Sequence, residues 1–229
     1  MNWQAFWQRQ SLDPDPLRQV ARLRAGQPLA PDQPRREAQR VADLLSLQPT
    51  HSLLDVCCGN GLITSHLAEM CAAGTGIDLS EGLLAAARDR CPAHWRFFAA
   101  NAASPLPVAD TFDRITLLFS FQYFESYSQA RGVFFNLKKH LHPGGMALLT
   151  DIPDKSRFAV FYPRWQDRLR YVLQKITRQE TMGRFWHARE LEALARAHGL
   201  EAVILPQSPD LPYAHYRFDC LLQHAGSGV

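Results

Sequence analysis

The feature that most constrains the fold is an apolar run, Leu53–Val56, that leads directly into a glycine-containing turn, Cys57–Gly61. A short apolar run bounded by glycine predicts a buried strand, and the residues after the turn have a helical pattern. Glycines let the backbone approach a ligand, and the start of a helix offers unpaired backbone N–H groups. The turn therefore predicts a ligand-binding crevice at the edge of an α/β sheet.

Short β-rich runs alternate with helical stretches after this turn, which is typical of a parallel sheet with crossover helices. The predicted strands cover residues 52–56, 74–78, 95–99, 112–119, 146–151, 201–205 and 216–222. The predicted helices cover residues 32–47, 62–71, 81–90, 130–141, 157–178 and 188–198, with Ser80 as an N-cap. We therefore predict an α/β fold with a Rossmann-like, doubly wound, mostly parallel seven-stranded sheet and helices on both faces.

The length of 229 residues fits one domain. We divide residues 1–229 into a helical N-terminal cap (1–50), a cofactor-binding core (51–151), a helical insertion or lid (152–199) and the last two strands (200–223). The cap is interrupted by several prolines, and the insertion precedes the last two strands.

Composition excludes several classes of protein. The apolar runs are shorter than the roughly 20 residues that span a bilayer, and the first residues lack a secretory pattern, so we expect a cytoplasmic protein. Five cysteines form an odd set without CxxC spacing, which argues against a disulfide framework or a structural zinc site, and we predict no metal. A formal net charge of +3 does not favour nucleic acid as a partner.

Two acidic residues and one substitution favour a cationic nucleoside over a dinucleotide. Asp55 precedes the glycines, where a carboxylate suits a cation and repels a diphosphate. Thr64 occupies the position of the third glycine in the dinucleotide fingerprint. Asp78 ends the second predicted strand, and its carboxylate can accept hydrogen bonds from ribose hydroxyls. An NAD-dependent oxidoreductase is therefore a weaker alternative.

Residues 51–151 resemble the class I S-adenosylmethionine-dependent methyltransferases. The glycine turn and Asp78 are followed, in that family's order, by Asn101–Ala102, Leu106–Asp113 and Leu141–Gly145. The resemblance implies S-adenosylmethionine as cofactor and transfer of its methyl group. The chain departs from the usual pattern at Cys57, where glycine is common, and at Asn101, where aspartate is frequent.

The resemblance also implies which residues hold the cofactor. Asp55, Cys57, Gly59 and Gly61 are expected at the methionine end, Asp78 and Leu79 at the ribose, and Asn101 and Ala102 at the adenine. We add two further cofactor-binding residues: Phe119, which ends the fourth strand, and Arg22, which is expected to reach the cofactor carboxylate from the N-terminal segment.

Methyl transfer from a sulfonium depends mainly on alignment, and a base is needed only to take a proton from a hydroxyl or amine acceptor. Tyr123, Asp151 and His187 are the catalytic candidates, with His215 as a further one. Each has a structural alternative: a wall residue for Tyr123, a cap or loop anchor for Asp151, packing for His187, and support of the last strand for His215.

The expected partner is a small-molecule acceptor, either anionic or sugar-like. Residues 155–189 contain nine Lys or Arg and two acidic residues, interleaved with aromatics, and this segment either attracts an anion or forms a solvated helix face. The runs 55–61, 151–154 and 215–219 resemble methyltransferases of bacterial surface-polysaccharide gene sets, which implies a sugar hydroxyl. A non-catalytic S-adenosylmethionine-binding sensor and an RNA methyltransferase are the alternatives.

Overall fold

The computed structural model describes residues 1–24, 26–179 and 182–226. The helices are α1 (Trp3–Gln10), α2 (Pro16–Gln19), α3 (Gln33–Leu44), α4 (Thr64–Ala68), α5 (Glu81–Arg90), α6 (Tyr127–His140), α7 (Phe158–Phe161), α8 (Trp165–Ile176) and α9 (Ala188–Ala197). The strands are β1 (Leu23–Arg24), β2 (Gln27–Pro28), β3 (Ser52–Val56), β4 (Ala73–Asp78), β5 (Arg96–Ala99), β6 (Phe112–Leu118), β7 (Leu141–Pro153), β8 (Leu200–Pro206) and β9 (Arg217–His224).

The main sheet has seven strands in the order β5-β4-β3-β6-β7-β9-β8. Neighbouring strands from β5 to β7 are parallel, and β9 is antiparallel to both β7 and β8. The chain order reverses direction across the sheet between β3 and β6, which creates the crevice where open α/β sheets bind ligands. The predicted fold class is confirmed.

Side chains alternate along each strand, so apolar residues of the sheet point to both of its faces. Helices cover both faces and bury these residues. Leu54 of β3 belongs to the core formed with α6 and α9, whereas its neighbour Leu53 belongs to the core formed with α3, α4 and α5. Both leucines are fully buried. The near-continuous apolar sequence of β3 follows from this burial on two sides.

Most predicted bounds differ from the structure by a few residues, and three differences are larger. The predicted helix over residues 157–178 is two helices, α7 and α8, and Pro163 lies between them. Proline lacks a backbone N–H and disfavours helical backbone in the residue before it, so it separates the two helices. The strand β7 begins at Leu141 instead of residue 146, and the small β1–β2 hairpin within the N-terminal cap was not predicted.

No helix in the described ranges has the length and apolar character needed to cross a membrane.

Candidate functional site

A cavity of about 520 Å³ lies at the carboxyl ends of β3, β4, β5 and β6. Its wall includes most of the cofactor-binding residues predicted from the sequence, namely Arg22, Asp55, Cys57, Gly59, Asp78, Leu79, Asn101, Ala102 and Phe119. The size is within the range of small-molecule sites. The fold thus brings together residues that are up to 97 positions apart in the sequence (22 to 119).

The turn after β3 has left-handed backbone at three positions, with φ of +63° at Cys57, +57° at Gly59 and +73° at Gly61. A Cβ atom at Gly61 would lie 2.9 Å from the Cα atom of Ala87 in α5. Gly61 therefore allows the turn to pack closely against α5, and it is not among the described residues that line the cavity. Its predicted place at the methionine end stays a prediction.

Asp55 lies at the floor of the cavity and is 2% exposed. Both carboxylate oxygens accept hydrogen bonds, Oδ2 from the Thr64 hydroxyl at 2.5 Å and Oδ1 from the Thr116 hydroxyl at 2.8 Å. Burial raises the pKa of Asp55 to about 6, although the two hydroxyls oppose this rise. A bound cation would stabilise the ionised form of this carboxylate.

Asp78 ends β4 beside the turn after β3. Its Oδ2 atom accepts the Gly59 backbone N–H at 2.9 Å, and its Oδ1 atom accepts the Ser80 backbone N–H at 2.9 Å. Burial raises the pKa of Asp78, and these backbone donors oppose the rise. The carboxylate therefore fixes the turn while it also faces the cavity.

The loop after β5 forms the next part of the wall. The Asn101 Oδ1 atom accepts the Ala103 backbone N–H at 2.9 Å, and the buried Asn136 side chain donates to the Ala102 carbonyl at 2.9 Å. These bonds give the loop a defined shape at the cavity wall.

Arg22 lies in the wall with its guanidinium 3.1 Å from the carboxylate of Glu37, and both groups are largely buried. The guanidinium also lies 4.2 Å from the centre of the Phe119 ring, which is favourable for a cation. The Arg22 guanidinium is 3.9 Å from the Asp151 carboxylate. Burial raises the pKa of Glu37, and the charge of Arg22 opposes that rise.

The N-terminal cap closes one side of the cavity. The Trp3 and Trp7 rings lie 4.5 and 5.2 Å from the ring of Tyr123, measured between ring centres. Gln8 accepts a hydrogen bond from the Ser80 hydroxyl at 3.2 Å, and Asn60 donates to Gln19 at 2.7 Å. These contacts join the cap to the loops after β3, β4 and β6.

The catalytic candidates are not all in one place. Tyr123 lines the cavity. Asp151 has φ of +59° inside β7, where the pairing with β9 shifts register, and it accepts a hydrogen bond from Gln207 at 3.1 Å; it is not among the described lining residues. His187 precedes α9, where its backbone N–H donates to Glu190 at 2.8 Å, and His215 is exposed; neither is among the described lining residues.

Several wall residues were not predicted from the sequence. Glu37, Gln33, Trp3 and Trp7 all come from the first 44 residues, and no motif marks them. The one available signal was the pair Trp3 and Trp7 at i,i+4 spacing, which places two aromatic rings on one face of a helix.

Comparison with known proteins agrees with this arrangement. A family model described as a methyltransferase domain matches residues 53–145, which contain the glycine turn, Asp78 and the loop after β5. Residues 53–145 therefore form a methyltransferase domain of the class predicted from the sequence. This match supports S-adenosylmethionine as the cofactor, as the sequence predicted.

A curated relative, demethylmenaquinone methyltransferase of Tropheryma whipplei (strain Twist), is 30% identical over 136 residues, which are 59% of this chain and 55% of the relative. The chain thus spans about half the length of the curated relatives it matches.

Two solved structures share the fold of this chain. Streptomyces venezuelae DesVI has a TM-score of 0.67 at 18% identity, over 85% of this chain and 93% of that chain. Micromonospora echinaspora CalS10, described as an amino pentose methyltransferase, has a TM-score of 0.60 at 18% identity, over 83% and 90%.

Proposed function

We propose that this protein transfers the methyl group of S-adenosylmethionine to a hydroxyl or amine of a small, sugar-like acceptor. The observation that carries this proposal is one cavity in which Asp55 and Asp78 lie at the carboxyl ends of neighbouring strands beneath an aromatic cap. When bound, the cofactor supplies an activated methyl group on a cationic sulfur. The chain supplies alignment and a partly enclosed site.

We place the cofactor along the strand ends by the chemistry of the wall. Asp78 and Leu79 hold the ribose, while Asn101 and Ala102 border the adenine. Asp55, Cys57, Gly59 and Gly61 hold the methionine end, Phe119 lies beside it, and Arg22 binds its carboxylate. The ionised Asp55 carboxylate favours the positive charge of the cofactor.

The charges of the wall support a neutral or amine-bearing acceptor. Among the described lining residues, the guanidinium of Arg22 is outnumbered by the carboxylates of Glu37, Asp55 and Asp78. The basic side chains of residues 155–189 are not among them. The anionic acceptor predicted from that segment remains a prediction, and the wall lends it no support.

Tyr123 is the best placed of the three catalytic candidates because its side chain lines the cavity. We propose that it contacts the acceptor and orients its hydroxyl or amine through a hydrogen bond to the phenolic oxygen, while the departing proton passes to solvent. Asp151 does not line the cavity but lies beside Arg22, so it would act by positioning the Arg22 side chain. For His187 the structural role as the residue before α9 is the better supported.

The names of relatives support the acceptor class. CalS10 is described as an amino pentose methyltransferase, and Bradyrhizobium japonicum NodS, with a TM-score of 0.57 at 21% identity, is described as an N-methyltransferase. Demethylmenaquinone methyltransferase indicates a different acceptor, so a quinol-like compound belongs in the test.

The test is to incubate the protein with S-adenosylmethionine and matched acceptors: amino sugars, neutral sugars, sugar phosphates and a hydroxynaphthoquinol. Formation of S-adenosylhomocysteine with an amino or neutral sugar is expected. We expect Tyr123→Phe to lower kcat with that acceptor and His187→Ala to leave it unchanged. Tight cofactor binding without product from any acceptor would instead support the sensor, and turnover of the quinol alone would overturn the sugar assignment.

A further inference from the structure

The helix α8 (Trp165–Ile176) carries an apolar stripe that points away from the protein. Trp165 and Ile176 are 67% and 73% exposed, and Leu169, Val172 and Leu173 are each about half exposed. At 3.6 residues per turn these five side chains fall within an arc of about 100°, which forms one continuous stripe along the helix. We call these five residues the α8 stripe.

The opposite side of α8 holds the helix on the protein. Tyr171 is buried there, and its hydroxyl donates to the Gly183 carbonyl at 2.9 Å. Asp167 is partly buried on the same side, and Arg168, at the edge between the two sides, donates from its guanidinium to the Tyr162 carbonyl at 2.7 Å. The helix is thus held by the Tyr171 ring, which packs on Phe158 and Phe185, while the apolar stripe is left facing solvent.

Basic side chains border the α8 stripe on both sides. Arg170 is exposed on one edge, Arg168 and Lys175 are half-buried on the other, and Arg164 is exposed just before the first residue of the helix. The sequence from Lys155 to Arg189 has nine basic and two acidic residues. An apolar helix face with a basic border, including a tryptophan, is the pattern of helices that lie in the interface of an anionic bilayer.

We propose that α8 docks on the surface of an anionic phospholipid bilayer, parallel to the membrane plane, with the α8 stripe inserted among the acyl chains near the headgroups. The phosphate groups then neutralise the basic borders. A second copy of the chain fits less well, because a symmetric pairing of two stripes brings the basic borders of both copies together. This inference does not depend on which acceptor is methylated.

The experiment measures sedimentation of the full chain with vesicles of phosphatidylcholine containing 30% phosphatidylglycerol, and with vesicles of phosphatidylcholine alone. We expect binding to the anionic vesicles that weakens with salt, and at least tenfold weaker binding to the neutral ones. Leu169→Glu and Ile176→Glu together are expected to lower binding at least tenfold, because two charges enter the apolar interface.

The matched control is Phe135→Glu combined with Val203→Glu, which places the same two charges at exposed apolar residues of α6 and β8. It is expected to leave vesicle binding unchanged. Thermal melting and cofactor binding of all variants confirm that the fold is retained. Equal binding by the double variant and the parent would overturn the proposal, as would a dimer in light scattering that the double variant disrupts in the absence of any vesicle binding.

Discussion

The Asp78 carboxylate at the end of β4 accepts the backbone N–H of Gly59 in the turn after β3, with 2.9 Å between the two atoms. One side chain thus links two neighbouring strand ends at the cavity and also faces the expected ribose position. Because a carboxylate with several acceptor sites can bond both the backbone and a ligand, Asp78 combines the two roles.

Replacement of Asp78 by Ala is expected to weaken S-adenosylmethionine binding by roughly 10- to 100-fold, since hydrogen bonds to a charged group contribute about 1.5–3 kcal/mol. Titration calorimetry measures the affinity. Asp89→Ala, at an exposed position of α5, is the control and should change nothing. An affinity for Asp78→Ala within a few-fold of the parent would remove Asp78 from the cofactor site.

The strand β3 shows why much of this site could be read from the sequence. Its predicted bounds, 52–56, match the structure because an apolar run buried on both faces is flanked by turn residues, and local pattern is then sufficient. The order of Asp55, the glycines and Asp78 predicted the fold and the part of the wall that the strand ends form, for the same reason.

Glu37 shows why the rest could not be predicted. It lies on a helix whose local pattern is that of an ordinary surface-facing helix, and it joins the cavity only because α3 packs beside β3 and β6. The composition of the basic segment predicted a lid over the ligand, and this remains a prediction. The described wall comes from the N-terminal cap and the strand ends instead. Tertiary packing determines which segments reach the cavity wall, and it leaves no pattern in the local sequence.

Cofactor affinity is expected to depend on pH through Asp55. Burial raises the pKa of this carboxyl to about 6, so about a tenth of it is ionised at pH 5 and about nine-tenths at pH 7. A cationic cofactor favours the ionised form. The affinity for S-adenosylmethionine should therefore rise about tenfold from pH 5 to pH 7.

Calorimetry at several pH values, with the parent and with Asp55→Asn, tests this dependence. The variant should bind more weakly and show a flatter profile, with the remaining slope assigned to Asp78, whose pKa is also raised.

The free energy of unfolding is expected to depend on pH in the opposite direction. A raised carboxyl pKa means that the folded chain binds more protons than the unfolded chain between about pH 4 and 6, so the free energy of unfolding falls as pH rises through that window. A parent affinity that is independent of pH would contradict the role of Asp55.

Cys57 occupies a backbone conformation that glycine adopts without strain, with φ of +63°. Left-handed backbone costs other residues roughly 1–2 kcal/mol. We expect Cys57→Gly to raise the free energy of unfolding by about 1 kcal/mol, measured by urea denaturation. The neighbouring Cys58 is not among the residues with positive φ, so Cys58→Gly is the matched control and should destabilise the protein. If both variants lost stability equally, strain at Cys57 would be excluded.

The helix α1 is expected to matter more for binding than for folding. None of its residues is buried, yet Trp3 and Trp7 pack on Tyr123 at the edge of the cavity. Removal of residues 1–10 should therefore shift the melting temperature by only a few degrees. It should weaken cofactor binding about tenfold, which corresponds to about 1.4 kcal/mol.

Stopped-flow fluorescence measures the rate of cofactor release. The deletion should raise this rate, because a more open cavity releases the cofactor faster. Leu12→Ser, at a residue that is 80% exposed next to α1, serves as the control and should leave release unchanged. Unaltered affinity and release after the deletion would mean that α1 does not close the site.

Arg22 and Glu37 are expected to stabilise the fold only when both are present. The guanidinium and carboxylate are 3.1 Å apart, and their side chains are only 6% and 14% exposed. Replacement of Arg22 by Met leaves a buried carboxylate without its main partner, which is expected to cost about 3 kcal/mol of unfolding free energy. Glu37→Gln introduced into the Arg22→Met variant should recover part of that loss, because a neutral amide is less costly to bury than a charge.

A double-mutant cycle from urea denaturation gives the coupling between the two residues. Affinity for S-adenosylmethionine separates this structural role from the proposed contact with the cofactor carboxylate. That contact predicts that Arg22→Met weakens binding whether or not Glu37 has been replaced by Gln, because the missing guanidinium cannot be supplied by the second substitution. If the Glu37→Gln substitution restored both stability and affinity, Arg22 would act on the site only by neutralising Glu37, and the cofactor carboxylate would need another partner.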